Sequence, residues 1–480
     1  MKIASILLMV IYILTFLTGI AVIFIEHKDP TATLAWLLML YTLPGLGLIL
    51  YLLLSQNISR YRIKLSNFDN YTDTEGISSQ REEIADGSFA YINQEAAKWR
   101  QLIRQNQSCG ACYLTQDNKT EIIVKPEDMF GRLCEDLENA KHTINIEYYI
   151  IKSDSTGERI LDILEKKAVS GVRIRLLLDD VGCRRLNKRR IRKLRRLGVK
   201  VVFFFPAILF RFNLRLNYRN HRKIAVIDNK TAYIGGFNIG DEYAGLSEKF
   251  GAWRDTHLRI EGGAVEDIEA RFVLDWKFAS KEDYKIARKM YNNPVEPGNS
   301  GIQIVSSGPD NREQEIKLAF LRMITGAKRR IYLQTPYFVP DQSIYEALKT
   351  AALAGLDVRV MIPSMPDHPF VYWVSYFNAG HLLDYGVKVY TYQPGFLHSK
   401  MITVDEEVSS IGSANLDIRS FKLNFECNAV VYDKEIARQL EDAFDADIQL
   451  SERLTKEKYA ARPRSVRFKE SVSRLISDIL

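Results

Sequence analysis

An 18-residue pattern occurs twice in the chain, and this duplication constrains the fold more than any other feature. Residues 221–238 read HRKIAVIDNKTAYIGGFN, and residues 398–415 read HSKMITVDEEVSSIGSAN. Each copy has the pattern H-x-K-x4-D, and in each an Asn follows the His by 17 residues. Shorter matches recur upstream in the same order, such as Gly-Val-Lys-Val at 198–201 and 386–389. Two copies of one unit predict a pair of packed domains related by a pseudo-two-fold axis.

The segments before each motif alternate between strand-like and helix-like patterns. HTINIEYYII (142–151) and VRIRLLLDD (172–180) have the composition of buried strands, and ERILDILEKKAVSG (158–171) between them has that of a helix. Such alternation is typical of a largely parallel sheet covered by helices. We therefore predict an α/β fold in which residues 126–290 form the first unit and residues 300–450 form the second.

The motif places a histidine beside a fixed positive charge. His221 and Lys223 are two residues apart in a strand-like run, so their side chains point to the same face, and the second copy repeats this arrangement. Brought together, two imidazoles, two ammonium groups and two amides would surround one point, which suits a tetrahedral oxyanion such as a phosphodiester. The predicted site residues are His221, Lys223, Asp228 and Asn238 in the first copy, and His398, Lys400, Asp405 and Asn415 in the second.

Two histidines permit a two-step displacement at phosphorus. A neutral imidazole attacks and forms a phosphohistidine, while the other imidazole, protonated, donates to the leaving oxygen and later deprotonates the incoming hydroxyl. The lysines and asparagines supply the charge stabilisation. Since the sequence has no carboxylate cluster or HxxxH-type spacing for a catalytic metal, we expect no metal and no other cofactor.

A nucleophilic imidazole needs an acceptor for its second nitrogen. Asp255 and Glu426 are the candidates, because they follow His221 and His398 by 34 and 28 residues and lie in apolar, strand-like segments. The alternative for both carboxylates is an ordinary ion pair, for example with Arg254.

Two uncharged runs at the N-terminus point to a membrane. Residues 3–25 and 32–54 each comprise 23 residues, enough to cross a hydrocarbon core of about 30 Å. A signal peptide and a pair of buried core helices are the alternatives, but the first run is long for an h-region and no charge interrupts either run. Three basic residues follow at 60–64, so the positive-inside rule predicts a cell-membrane protein with two spans in residues 1–55 and a cytoplasmic catalytic part.

Two further segments flank the repeats. Residues 56–125 are polar and irregular and are interpreted as a membrane-proximal linker with some helix. Residues 451–480 form a basic amphipathic tail, which either docks on the body or lies on the membrane. Its helical pattern aligns five apolar side chains on one face, those of Phe468, Val472, Leu475, Ile476 and Ile479.

The charge balance suits an anionic partner. The formal net charge is +7 and the isoelectric point is near 8.9, which fits either nucleic acid or an anionic membrane. Nine of the residues from 184 to 196 are Lys or Arg, and the aromatic and basic segment 203–223 then leads into the first motif. The predicted tether favours a membrane surface over nucleic acid here. The five cysteines predict no disulfide framework, and Cys109 and Cys112 are interpreted as ordinary rather than redox or zinc residues.

The paired motifs resemble those of the phospholipase D superfamily over about residues 130–450. With the N-terminal hairpin, the lead-in LNYRNHRK and the segment IGGFNIGDEY, the chain is similar to the bacterial cardiolipin synthases of that superfamily. The resemblance implies transfer of a phosphatidyl group from one phosphatidylglycerol to the hydroxyl of another, with release of glycerol. It also implies that His221 is the nucleophile and His398 the acid/base, and that Asp228 and Asp405 are mainly structural.

The same motifs also fit other functions. The same residues would serve a phospholipase D-type hydrolase, or a transferase that uses another acceptor alcohol. A membrane-tethered nuclease is suggested only by the basic run and would bind duplex DNA with a steep salt dependence. We expect phosphatidylglycerol and anionic membrane lipids as partners, and no nucleic acid.

Overall fold

The computed structural model of the protein describes residues 2–24, 30–54, 74–206, 218–282, 298–311 and 313–475. The chain begins with three helices, α1 (Lys2–Phe24), α2 (Pro30–Thr42) and α3 (Leu46–Leu54). Within α1, Ser5–Phe24 is long and apolar enough to cross a membrane, and most of its large apolar side chains are exposed. The first apolar run is therefore a helix of spanning length, as predicted.

The second apolar run divides into two helices, whereas we expected one. The break falls at Pro44, which has no amide hydrogen, and at Gly45, which adopts a φ of 89°. The three helices pack together around Val22, Leu40 and Tyr51. Neither α2 nor α3 alone has the length of a membrane-spanning helix.

A folded segment precedes the first repeat. It comprises α4 (Thr74–Asp86), α5 (Gln94–Lys98), α6 (Arg100–Gly110) and β1 (Thr115–Ile123). The first repeat follows with α7 (Pro126–Asn139), β2 (Thr143–Tyr148), α8 (Ser155–Val169), β3 (Arg173–Asp179), α9 (Lys188–Arg196), β4 (Lys200–Phe204), β5 (Arg219–Asn220), β6 (Lys223–Ile227), β7 (Thr231–Gly235), β8 (Ala252–Arg254), β9 (His257–Glu261) and α10 (Ala264–Ser280).

The sheet of the first repeat is mixed, not largely parallel as predicted. Its strands lie in the order β4-β3-β2-β6-β7-β9. The pairs β2–β3 and β3–β4 are parallel, but β2–β6, β6–β7 and β7–β9 are antiparallel. One of these antiparallel pairs is the hairpin between β6 and β7, whose turn residues Asp228 and Asn229 have φ values of 53° and 49°. A hairpin can join only antiparallel strands, so the motif itself changes the direction of pairing.

The second repeat has the same plan. It comprises β10 (Ser300–Ser307), α11 (Glu315–Gly326), β11 (Arg330–Gln334), β12 (Phe338–Val339), α12 (Gln342–Leu353), β13 (Asp357–Pro363), α13 (Pro369–Leu382), a 3-10 turn (Leu383–Tyr385), β14 (Lys388–Tyr392), β15 (Gly395–Leu397), β16 (Met401–Val404), β17 (Val408–Gly412), β18 (Leu416–Asp417), α14 (Ile418–Lys422), β19 (Asn424–Tyr432) and α15 (Lys434–Gln449). The order β14-β13-β11-β16-β17-β19 matches that of the first repeat. The predicted duplication is therefore confirmed in the fold.

Strand β1 joins the two sheets and corrects the predicted linker. It pairs antiparallel with β9 of the first repeat and with β10, which in turn pairs with β19. Helix α6 buries Leu102 and Ile103 against the second repeat. The expectation of a linker over residues 56–125 is thus wrong from residue 74 onward, because this segment buries apolar side chains and completes the sheet.

The repeats also meet through an apolar core and two short ladders. Val226 and Ile234 of the first repeat share a buried cluster with Met401, Ile411 and Cys427 of the second. Outside this core, β5 pairs in parallel with β19, and β8 pairs in parallel with β15. Each ladder therefore fixes a strand next to a motif histidine against the opposite repeat.

The C-terminal segment is part of the body. It comprises β20 (Ser451–Leu454), α16 (Lys456–Ala460) and α17 (Arg464–Leu475). Strand β20 extends the second sheet by pairing with β14, and α17 packs on α13. Of the two alternatives for residues 451–480, the described part thus docks on the body, while Ile476 and Ile479 lie outside the described residues.

Candidate active site

The two motif histidines lie at the seam between the repeats. His221 follows β5, and its backbone N–H donates to the carbonyl of Phe425 at 2.9 Å. His398 follows β15, and its backbone N–H donates to the carbonyl of Arg254 at 2.7 Å. Both histidines line one cavity of about 510 Å³. The structure thus brings the two motif copies to a common point.

Each imidazole is hydrogen-bonded to a carboxylate of the opposite repeat. His221 Nδ1 lies 2.9 and 3.0 Å from the two carboxylate oxygens of Glu426, and His398 Nδ1 lies 2.6 Å from Oδ2 of Asp255. Both carboxylates are fully buried. A neutral imidazole that donates its Nδ1–H to the carboxylate keeps the lone pair on Nε2. The sequence predicted both acceptors, but not that they would be exchanged between the repeats.

The Gly-Gly turn of the first motif makes room for one of these carboxylates. A Cβ added at Gly236 would lie 1.9 Å from Oδ1 of Asp255, and one at Gly235 would lie 2.4 Å from the ring of His257. Any side chain at Gly236 would therefore displace the acceptor of His398. In the second motif Ser413 follows Gly412, and its hydroxyl accepts from the backbone N–H of Cys427 at 3.0 Å.

The motif lysines are buried beside the histidines. Lys223 Nζ donates to the carbonyl of His221 at 2.6 Å, and Lys400 Nζ donates to that of His398. Burial is the main cause that lowers the pKa of Lys223 to about 7 and that of Lys400 to about 8. Two buried cations require nearby negative charge to compensate them, and the carboxylates of Asp255 and Glu426 supply part of it.

The histidines are neutral at pH 7 in this environment. Burial, opposed by Glu426 and reinforced by Lys223, lowers the pKa of His221 to about 4. Burial and Lys400 also lower the pKa of His398. For both carboxylates, burial raises the pKa, but the neighbouring cations and histidines outweigh it, so that each pKa lies below its usual value. The site therefore holds two neutral imidazoles, each oriented by a charged acceptor.

Asn238 and Asn415 line the same cavity from opposite repeats. Both are nearly fully buried, and among the described residues neither side-chain amide oxygen has a hydrogen-bond partner. A buried amide oxygen without a protein partner is unusual and suits contact with a bound polar group. The two asparagines are thus placed where the sequence predicted them, at the point shared by the two histidines.

The motif aspartates bind backbone N–H groups away from the two histidines. The carboxylate of Asp228 accepts from the backbone N–H groups of Lys141, His142 and Thr143 at 2.7 to 2.8 Å. Asp405 accepts from those of residues 328–330 at 2.7 to 2.8 Å. Each aspartate therefore ties its hairpin to the start of the first parallel strand of its repeat, and in the described structure neither forms a hydrogen bond with His221 or His398.

Two aromatic residues beside the histidines were not predicted as site residues. The ring of Tyr149 lies 4.9 Å from that of His221 and 5.4 Å from Lys223 Nζ, and the ring of Trp253 lies 5.1 Å from that of His398. Both line the cavity. Trp253 lies two residues before a candidate carboxylate, but nothing in the sequence marks Tyr149, which directly follows Tyr148 at the end of β2.

Other predicted features lie away from the histidines. In α9, Arg190 pairs with Glu158, Asp162 and Glu165 of α8 at 2.6 to 2.9 Å, so part of the basic run serves helix packing. Residues 207–217 of the following segment lie outside the described residues. Cys109 and Cys112 are free thiols whose pKa burial raises. Among the described residues, no three His, Cys, Asp or Glu side chains are grouped so as to hold a metal ion.

Comparison with known proteins agrees with this geometry. A family model described as "Cardiolipin synthase, PLD-like domain" matches residues 133–252 and 320–448, and one described as "Phospholipase_D-nuclease N-terminal" matches residues 10–56. The major cardiolipin synthase of Bacillus subtilis is 45% identical over 487 residues, covering 100% of both chains. The chain belongs to the phospholipase D-like cardiolipin synthase family. A cardiolipin synthase of Staphylococcus aureus is also 45% identical, over 98% of this chain and 95% of its own.

The fold of this family member is shared more widely. A crystal structure of phosphatidylserine synthase from Haemophilus influenzae superposes with a TM-score of 0.62 at 16% identity, covering 79% of this chain and 100% of its own. At that identity the likeness concerns the fold alone. It agrees with the two repeated α/β units described above.

Proposed function

We propose that the protein is a cardiolipin synthase that transfers a phosphatidyl group from one phosphatidylglycerol to another through a phosphohistidine. The observation that carries this proposal is the pair of exchanged contacts, His221 with Glu426 and His398 with Asp255, around one cavity. Full-length identity of about 45% to cardiolipin synthases supports the choice of reaction and substrate.

In the first step, Nε2 of His221 attacks the phosphorus of the donor phosphatidylglycerol. A nitrogen–phosphorus bond forms as the bond from phosphorus to the glycerol head-group oxygen breaks. His398 in its protonated form gives its Nε2 proton to that oxygen, and glycerol leaves. Because burial lowers the pKa of His398, the anionic phosphate of the substrate must raise that pKa before His398 can act as the acid.

In the second step, the now neutral His398 takes the proton of a head-group hydroxyl on a second phosphatidylglycerol. The resulting oxygen nucleophile attacks the phosphohistidine, the nitrogen–phosphorus bond breaks, and cardiolipin forms. His221 returns to its neutral form and His398 to its protonated form, so protons balance over the cycle. Water in place of the second lipid would give phosphatidic acid.

We assign the nucleophile to His221. The resemblance of the chain to the phospholipase D superfamily favours this role. The pKa of His221, about 4, keeps Nε2 unprotonated across the physiological range. Lys223 and Lys400 stabilise the charge that develops on the non-bridging oxygens, and the amides of Asn238 and Asn415 donate to the same oxygens. Asp228 and Asp405 take no chemical step in this scheme.

We further propose that α1 and the α2–α3 pair form a two-span hairpin in the cell membrane, with the catalytic body in the cytoplasm. Support comes from the spanning length of α1, from its packing against α2 and α3, and from the basic residues at 60–64. Together α2 and α3 cover the length that neither has alone. The substrates lie in the same bilayer, so the tether keeps the site near them.

A product assay tests the proposed function. Membranes containing the protein receive phosphatidylglycerol labelled in its head-group glycerol, with EDTA present, and lipids and free glycerol are resolved over time. We expect cardiolipin and glycerol in equal amounts, and neither product with His221→Ala or His398→Ala. Phosphatidic acid as the main product would make the protein a hydrolase, and wild-type turnover by either variant would contradict the two-histidine scheme.

A further inference from the structure

The C-terminal helix α17 docks on the body through polar residues and leaves apolar ones outside. Among the α17 side chains that the structure describes, those of residues 464–474, Glu470 and Ser473 are buried and Val466 is half-buried, and the carboxylate of Glu470 accepts from Arg462 at 2.9 Å. Phe468 and Val472, one turn apart on another side of the helix, remain 70% and 37% exposed. This is the reverse of the usual amphipathic helix, which buries its apolar stripe against the protein.

Basic residues surround this exposed apolar pair. Arg464, Arg467, Lys469 and Arg474 lie on α17 and are exposed, whereas its one acidic residue is the buried Glu470. The exposed surface of α17 is therefore cationic with a bare phenylalanine and valine at its centre. A water-facing helix gains nothing from this combination, but an anionic interface accepts both parts of it.

Helix α13 connects this surface to the active-site cavity. One side of α13 lines the cavity with Val371 and Val374. Another side carries α17, since Lys469 Nζ lies 5.0 Å from the ring of Trp373. In the first turn of α13, next to the cavity residue Val371, the ring of Phe370 is 51% exposed. Exposed apolar side chains thus occur both on α17 and where α13 reaches the cavity.

We propose that Phe468 and Val472 of α17, with the basic residues around them and Phe370 of α13, form a surface that rests on a bilayer containing anionic phospholipids. We call it the α17 face. It inserts its apolar side chains at the level of the acyl-chain boundary and sets Arg464 and Arg467 among the phosphates, while Lys469 and Arg474 lie against the Trp373 and Phe377 rings of α13 at its edges. Through α13, this contact holds the cavity towards the lipid. The inference rests on the proposed function, because it assumes that the substrate comes from that bilayer.

Fluorescence quenching tests the contact without requiring catalysis. The full-length protein carrying Phe468→Trp is reconstituted in vesicles of phosphatidylglycerol and phosphatidylcholine, with and without brominated acyl chains. We expect quenching beyond that of the unaltered protein, whose five tryptophans set the background. Val169→Trp is the matched control, because Val169 is 73% exposed at the end of α8. Equal quenching for both variants, or none added by Phe468→Trp, would overturn the proposal.

Kinetics test whether the contact delivers substrate. With long-chain phosphatidylglycerol in vesicles, the double variant Phe468→Asp, Val472→Asp should lose about tenfold or more in rate, since two apolar contacts are replaced by charge. With dihexanoyl phosphatidylglycerol below its micelle concentration, it should stay within about twofold of the unaltered protein. Val169→Asp should be normal on both substrates.

The two kinds of failure are distinguishable. An equal loss on both substrates would mean that α17 supports the fold and would overturn the proposal. A double variant that is normal on vesicles would overturn it as well. Absence of turnover by the unaltered protein on either substrate would contradict the proposed function, whereas quenching of Phe468→Trp would still establish the contact.

Discussion

Exchange of carboxylates between the repeats makes a specific prediction about two conservative substitutions. Glu426 lies in the second repeat but holds His221 of the first, and Asp255 lies in the first but holds His398 of the second. Glu426→Gln should therefore impair the nucleophile, and Asp255→Asn should impair the acid/base. Pairing within each repeat would predict the opposite assignment.

The size of the loss follows from the contacts. Both oxygens of Glu426 lie within 3.0 Å of Nδ1, and the group is fully buried. A hydrogen bond to a charged group contributes about 1.5–3 kcal/mol, or roughly 10- to 150-fold in rate. An amide can also donate to Nδ1 and hold the wrong tautomer, and the same change in a Ser-His-Asp triad costs about 10⁴-fold. We expect a loss between about 10²- and 10⁴-fold for each variant.

A substrate with a good leaving group separates the two roles. Phosphatidyl-p-nitrophenol needs no acid in the first step, so rapid-quench measurements should show a burst of nitrophenolate with Asp255→Asn and with His398→Ala. His221→Ala should show no burst, and the burst of Glu426→Gln should be slower than that of the unaltered protein. Glu165→Gln, which removes a buried carboxylate paired with Arg190 in the helical layer, serves as the control and should burst normally. A burst in Glu426→Gln but not in Asp255→Asn would refute the exchanged pairing.

Three further predictions concern pH and the backbone of the motifs. The kcat/KM profile should fall on the acid side near pH 4, where His221 gains a proton, rather than near its ordinary value of about 6.5. On the alkaline side it should fall as His398 loses the proton that it donates, and further from about pH 7 and about pH 8, where Lys223 and Lys400 lose their charges. Lys223→Arg should therefore keep an alkaline limb, set by His398 and Lys400, in any activity that it retains. Gly236→Ala should abolish activity and lower the melting temperature, whereas Gly131→Ala, in a helix with nothing within 4 Å of the added methyl group, should stabilise the protein by up to about 1 kcal/mol. Asp228→Asn should lower the free energy of unfolding by about 1–3 kcal/mol in urea titrations, because the carboxylate satisfies three backbone N–H groups; an unchanged midpoint would show that the turn does not depend on it.

Local sequence patterns were enough to predict much of the fold and of the site. The motif spacing predicted two α/β units, and the alternation of strand residues predicted that each histidine and lysine would share a face. The exchange of Asp255 and Glu426 depends instead on ladders two and three residues long, β5 with β19 and β8 with β15. Pairings this short, between segments far apart in the chain, leave no periodic signal in the sequence.

The wrong prediction of a linker over residues 56–125 has a similar cause. Residues 74–123 are polar on average, and their apolar side chains become buried only against the repeats, as Leu102 and Ile103 do against the second and Ile123 against the first. Segment polarity alone therefore predicted a linker. The share of parallel strand pairs was predicted too high for another reason. Alternation of strands and helices predicts parallel strands, but the hairpin at Asp228 reverses the chain direction within the motif.

The measurement that tests the central claim most directly is the location of the covalent intermediate. The unaltered protein is mixed with labelled phosphatidylglycerol, quenched within one turnover in alkali, where phosphoramidates survive, and digested for mass spectrometry. The scheme predicts a phosphatidyl group on His221 that disappears when a second phosphatidylglycerol is allowed to react and reappears as cardiolipin. A phosphatidyl group on His398, or cardiolipin formation at full rate with neither histidine modified, would contradict it.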